Sequence, residues 1–208
     1  MYNITFRKNN ILILLIGIIL ATFGWYYAFG IKGGVFWYKL AFAIIVVSIY
    51  ALLFLKIPFK IRYKSILEGL ISAFILYMIF FIGNIIAPFI VSESQMQVSL
   101  IYQMGDNSNR IFIFLLLFFV TSPGEEIFWR AFLQGGFMQH VGYISSFLLV
   151  SVIYALVHCF SGNLMLILSA FVAGLYWGLQ YLLRKDIVAN IVSHAFFSAF
   201  IFAVFPIH

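Results

Sequence analysis

Charge is scarce in this sequence: Asp, Glu, Lys and Arg make up only 9% of its 208 residues, against 65% hydrophobic. A soluble domain carries roughly 25% charged residues, so this composition excludes one. Cysteine is limited to Cys159, which excludes an internal disulfide and reads as a small packing residue. No His-Glu-x-x-His spacing occurs, so the usual helical zinc signature is missing. There is no internal repeat and no low-complexity tract.

What is present is a series of long apolar runs. Mean hydropathy is +1.12 at 23.9 kDa, and a span uses about 20 residues, so the chain predicts an all-α integral membrane protein. Its fold is expected to be a bundle of about seven transmembrane helices (six to eight) around a polar intramembrane cavity, in one domain over residues 1–208. The runs predict spans at 10–30, 36–57, 65–91, 110–139, 141–160, 164–183 and 187–205. Trp25-Tyr26-Tyr27 and Trp37-Tyr38 suit a water interface, Pro58 is expected to end the second span, and Asn84 and Pro88 mark a kink in the third. Residues 92–109 form the only long polar stretch, with Glu93 and Asp106 as solvated loop charges.

Arg7 and Lys8 precede the first run with no small-residue cleavage site after it, which predicts a retained span. A net charge of +6 does not imply nucleic acid, because the basic residues flank apolar runs. With a cytoplasmic N-terminus, Arg7, Lys8, Lys56, Lys60, Arg62, Lys64, Arg130, Arg184 and Lys185 fall on the inner side. Lys32, Lys39 and Arg110 fall outside, and nine against three supports that orientation. The expected location is a multi-pass protein of a bacterial plasma membrane. Glu68 is expected at the interface with a nearby Lys, and Gly174 and Gly178 are spaced for close helix approach.

An ionisable group at mid-bilayer costs about 2.5 to 3.5 kcal/mol on insertion scales, so it marks a polar cavity and a partner. His140 and His208 sit in a turn and at position 208 and read as incidental. Glu125, Glu126, Arg130, His158 and His194 lie in or near apolar runs. Glu126 and Arg130 are four apart and share a helical face, so an ion pair is available. Glu125 is turned about 100° from Glu126 and is left for another task. Pro123-Gly124 loosens the same helix, which is tolerable where protein or water covers the freed backbone.

Glu125 and His158 are equidistant from the Val141-Gly142 turn, which puts them level across a helical hairpin. A carboxylate beside an imidazole can hold and activate a water. Tyr154, four residues before His158, shares its face and is placed to orient the ring. In the seventh span Asn190, His194 and Ser198 form a stripe able to donate to a developing oxyanion, or merely to join helices. His194 lies closer to its turn than His158 does, an offset of about 10 Å at 1.5 Å per residue, which a tilt or a deeper sixth-to-seventh connection must absorb.

Glu125-Glu126-x-x-x-Arg130, then Tyr154-x-x-x-His158, then His194 resemble the motifs of the CPBP family, the membrane-embedded prenyl (CAAX) endopeptidases and bacteriocin-processing or immunity proteins also called Abi. The likeness covers residues 122–198, including Phe171-x-x-Gly174-x-x-x-Gly178. It implies an intramembrane peptidase with its catalytic core helices in 110–200. Glu125 would be the base for water, assisted by His158; Glu126 and Arg130 would support the site, and His194 would stabilise the oxyanion. Tyr154 stands where the family commonly has Phe, and Ser198 where it usually has Asn, with Asn190 as the stand-in donor.

The resulting expectation is hydrolysis of a peptide bond in a membrane-associated protein or peptide, within the lipid bilayer. No cofactor is required on this glutamic reading, although one Glu and two His leave zinc as the alternative. A different class of reading is a non-catalytic immunity or scaffold protein whose polar cluster only holds the bundle together. A transporter is disfavoured, because no paired broken helices stand in matching halves.

Overall fold

The computed structural model describes residues 4–104 and 108–207; Asp106 and His208, named above, lie outside the described residues. Among the described residues, seven helices are long and apolar enough to cross a membrane, in an all-α bundle as the hydropathy predicts. They are α1 (Ile11–Gly30), α2 (Phe36–Phe54), α3 (Tyr63–Phe89), α5 (Arg110–Val141), α6 (Tyr143–Ser161), α7 (Leu164–Arg184) and α8 (Ile187–Val204). Between α3 and α5 lies a short helix, α4 (Ser94–Gln103), in the stretch that the sequence leaves as a loop. Its mixed polar composition carries no spanning signal.

Several helices begin on a capping side chain that accepts the first orphan backbone N–H groups. Asn10, Asn109 and Asn163 cap α1, α5 and α7, and Asp186 caps α8. The second span stops at Phe54 rather than at Pro58, because Leu55–Lys56 leave the helix to pair antiparallel with Thr5–Phe6. Pro88 lies in a terminal 3₁₀ turn, Ala87–Phe89, not in a mid-span kink.

The helices differ in how far they are enclosed. The apolar window of α8 is 61% buried and that of α3 only 17%, so α8 is the central element and α3 a peripheral one packed against it. Helices α6 and α7 meet at the two glycines. A Cβ on Gly174 would stand 3.2 Å from the Tyr154 ring and 3.3 Å from the Ser151 carbonyl oxygen, and one on Gly178 would stand 3.0 Å from Phe147. Small residues there permit the close approach.

Two tryptophans expected at the water interface are core residues: Trp25 is fully buried and Trp37 nearly so, while Tyr26, Tyr27 and Tyr38 are exposed. Glu68 pairs with Lys64 at 3.9 Å and also with Arg184 at 3.7 Å. The sixth-to-seventh turn is buried at Asp186, which accepts hydrogen bonds from Arg62 at 2.9 Å and Ser65 at 2.6 Å.

Candidate functional site

Helix α5 carries the paired glutamates through an irregular passage. Residues Leu117–Thr121 wind as a π turn, Ser122–Glu125 as one α turn, and Glu126–Gln134 again as π. Pro123 has no N–H to give, and its ring would meet the carbonyl four residues earlier in a regular helix. The wider turn before it relieves that clash, and such insertions recur at functional sites. Gly124 lets this passage lie against α2, since a Cβ there would stand 2.5 Å from Ile44.

Glu126 is fully buried and is the hub of one cluster. Its Oε2 lies 3.5 Å from Arg130 Nε and accepts from Asn190 Nδ2 at 3.1 Å, and its Oε1 faces His194 Nδ1 at 2.8 Å. The Arg130 terminal nitrogens have no hydrogen-bond partner among the described residues. The guanidinium instead lies over two rings, 4.9 Å from the Tyr154 centroid and 5.6 Å from that of Trp177. Trp177 stacks on His194 at 3.7 Å and donates its indole N–H to Ser193 Oγ at 3.1 Å. Arg130, grouped by sequence with the flanking charges, is thus an interior residue.

Glu125 belongs to a second cluster. Its Oε2 accepts from the Tyr154 hydroxyl at 2.6 Å. His158 Nδ1 lies 2.7 Å from the Tyr154 carbonyl oxygen and its Nε2 lies 3.2 Å from Trp25 Nε1. The carbonyl can only accept and the indole can only donate, so these partners fix the Nδ1–H tautomer.

The two clusters meet at a cavity of about 170 Å³ lined by Glu125, Tyr154, His158, His194 and Ser198, among largely apolar neighbours. Glu125 and His158 therefore face one space, as their level positions require, but the group bonded to Glu125 is Tyr154. Tyr154 holds the His158 ring as expected, through its carbonyl, while its hydroxyl holds the carboxylate.

Glu126, Arg130 and Asn190 stand behind the wall. Asn190 departs from its expected place as an oxyanion donor: its amide nitrogen is taken by Glu126 and by the Trp177 carbonyl at 2.9 Å, and it does not line the cavity. Ser198 does. Trp25 and Trp177 escaped the sequence reading because their partners lie 133 residues away for Trp25 and on the next helix for Trp177, where helical spacing gives no signal. Among the described residues, no three His, Cys, Asp or Glu side chains gather into a metal-ligand set.

Residues 107–200, a little under half of the chain, match the family model described as type II CAAX prenyl endopeptidase Rce1-like. The matched stretch contains Glu125, Glu126, Arg130, Tyr154, His158, Asn190, His194 and Ser198, and it bears out the CPBP resemblance. At family level the likeness is to CAAX-type intramembrane proteases, which act on membrane-associated substrates within the bilayer. No curated protein and no solved structure matches the chain. This likeness and the seven apolar helices among the described residues support a multi-pass membrane protein.

Proposed function

We propose that the chain is an intramembrane endopeptidase that hydrolyses a peptide bond in a membrane-associated protein or peptide, using water activated by Glu125. The observation that carries this reading is a carboxylate opening onto a cavity with a phenol on one oxygen and both candidate histidines lining the same space. Tyr154 occupies Oε2, which leaves Oε1 to accept a hydrogen bond from water.

In the proposed route Glu125 takes a proton from that water as its oxygen attacks the scissile carbonyl. The carbonyl electron pair moves onto oxygen, where Ser198 Oγ–H and the Nε2–H of an imidazolium His194 donate to it. Glu126, fixed by Arg130 and Asn190, accepts the other His194 N–H. Collapse breaks the C–N bond, and Glu125 returns the proton to the leaving amine. His158, with its ring nitrogens engaged by the Tyr154 carbonyl and the Trp25 indole, forms part of the cavity lining beside that water. No metal takes part in this route, so dialysis against a chelator is expected to leave the rate unchanged. A loss that zinc restores would replace it with a metal-assisted one. The basic flanks support a cytoplasmic N-terminus for this enzyme.

The test is comparative membrane proteomics of cells carrying the native chain or Glu125→Ala. A precursor should accumulate with the variant. Undiminished processing by Glu125→Ala would sink the mechanism, and full cellular function of both Glu125→Ala and His158→Ala would favour the non-catalytic scaffold instead.

A further inference from the structure

Beyond α8 the chain leaves its helix at Phe205, with φ −132° and ψ 76°, and the segment 205–207 brings Ile207 into the lining of the cavity. Its main chain is gripped by side chains of two other helices. Tyr77 donates to the Phe205 carbonyl at 3.0 Å, Asn84 Nδ2 donates to the Ile207 carbonyl at 2.7 Å, and Ile207 N–H donates to Tyr102 Oη at 3.2 Å. The clamp is itself oriented. Gln95 of α4 donates to both the Asn84 carbonyl at 3.1 Å and its Oδ1 at 3.4 Å, which turns the amide nitrogen toward Ile207. The Tyr102 hydroxyl in turn donates to the Ile201 carbonyl at 3.1 Å.

Ile207 also joins two cavities. It lines the one holding Glu125 and a second, mostly apolar one of about 380 Å³ between α3, α4 and α7, and both share Phe80, Val98 and Ser169. A side-chain amide on the carbonyl and a hydroxyl on the N–H of one residue, with its side chain set between apolar walls, is how a protein holds an extended peptide without reading its sequence through charge.

We propose that Asn84 and Tyr102 are a main-chain clamp for an extended peptide bearing a branched apolar side chain, and that Ile207 occupies this clamp as an internal competitor. The claim that the clamped peptide is the one cleaved rests on the peptidase reading; the clamp itself does not. Seating the substrate then requires residues 205–207 to move aside. If the internal segment is seated nine-tenths of the time, it weakens apparent peptide affinity about tenfold.

The experiment measures binding, not cleavage, so it stands apart from the fate of the peptidase reading. The probe is fluorescently labelled Val-Phe-Pro-Ile carboxamide, the sequence of residues 204–207, titrated by anisotropy against the full chain in lipid nanodiscs. Ile207→Asp, which cannot keep its side chain between apolar walls, should bind the probe about tenfold tighter than the native chain. Adding Asn84→Leu should cancel the gain. Ile207→Gly removes the same side chain without a charge, loosening the segment in the clamp, and gives the same comparison where the aspartate variant does not fold. Equal affinity of the native and vacated chains, or a gain that survives Asn84→Leu, would overturn the proposal.

Discussion

Around Glu126 the contacts involve a guanidinium, an imidazole and an amide drawn from α5 and α8, and the carboxylate is sealed from the cavity. Around Glu125, the adjacent residue, the contacts are a single phenol and, one step removed, an imidazole held by a carbonyl and an indole. One α5 turn thus presents two carboxylates to different surroundings: one multiply bonded and closed, the other singly bonded and open to a space. A group that must gain and lose a proton needs the second kind of place. A group that fixes its neighbours needs the first.

The contrast predicts a division between folding and activity. Glu126→Ala leaves the Arg130 guanidinium buried without a counter-charge, and breaking such a pair costs about 3 to 5 kcal/mol. Stability, read by denaturant titration in micelles, should fall by that amount and processing should vanish with it. Glu125→Ala removes only one hydrogen bond to a carboxylate, so stability should fall by about 1.5 to 3 kcal/mol while processing falls by about 10²- to 10⁴-fold. Equal stability losses in the two variants would erase the distinction.

Tyr154→Phe sharpens the comparison at the next scale. The variant keeps the ring under Arg130 and the carbonyl that holds His158, and removes only the hydroxyl on Glu125. A hydrogen bond to a charged group contributes about 1.5 to 3 kcal/mol, so kcat should fall about 10- to 100-fold with KM nearly unchanged, and stability should fall no further than in Glu125→Ala. A loss confined to KM would mean that Tyr154 serves the substrate rather than the carboxylate.

How much of this the sequence discloses depends on the range of the interaction. Seven spans emerge within a few residues of their limits, because bilayer thickness fixes their length and hydropathy fixes their place. The Glu126–Arg130 pair emerges because four residues make one helical turn. The glycine contact of α6 with α7 emerges for the same local reason. Asn190 misleads because its stripe with His194 is real, yet a stripe does not say which neighbour it faces: Glu126 and the Trp177 carbonyl lie on that side, not the cavity. Trp25 misleads because an aromatic at a span end suits an interface on average, and only the packing of α1 against α6 turns it toward His158. The short helix α4 leaves no mark because a ten-residue polar segment has no spanning signal.

The smallest effect expected is at Trp25, which reaches the Glu125 cluster through His158. Trp25→Phe keeps an aromatic ring against Trp129 and His158 but removes the donor to His158 Nε2. A typical hydrogen bond contributes about 1 kcal/mol net, so processing should change about fivefold. The direction separates two roles for the indole. If Trp25 holds His158 in its working orientation, the variant is slower; if it occupies a nitrogen that the water needs, the variant is faster. Trp177→Phe is the matched control on the other wall: it keeps the stacking on His194 while losing the bond to Ser193. Because His194 is still fixed there by a buried carboxylate, that variant should change the rate less than Trp25→Phe does. A larger effect at Trp177 would mean that the charged wall depends on its aromatic backing more than on its ion pair.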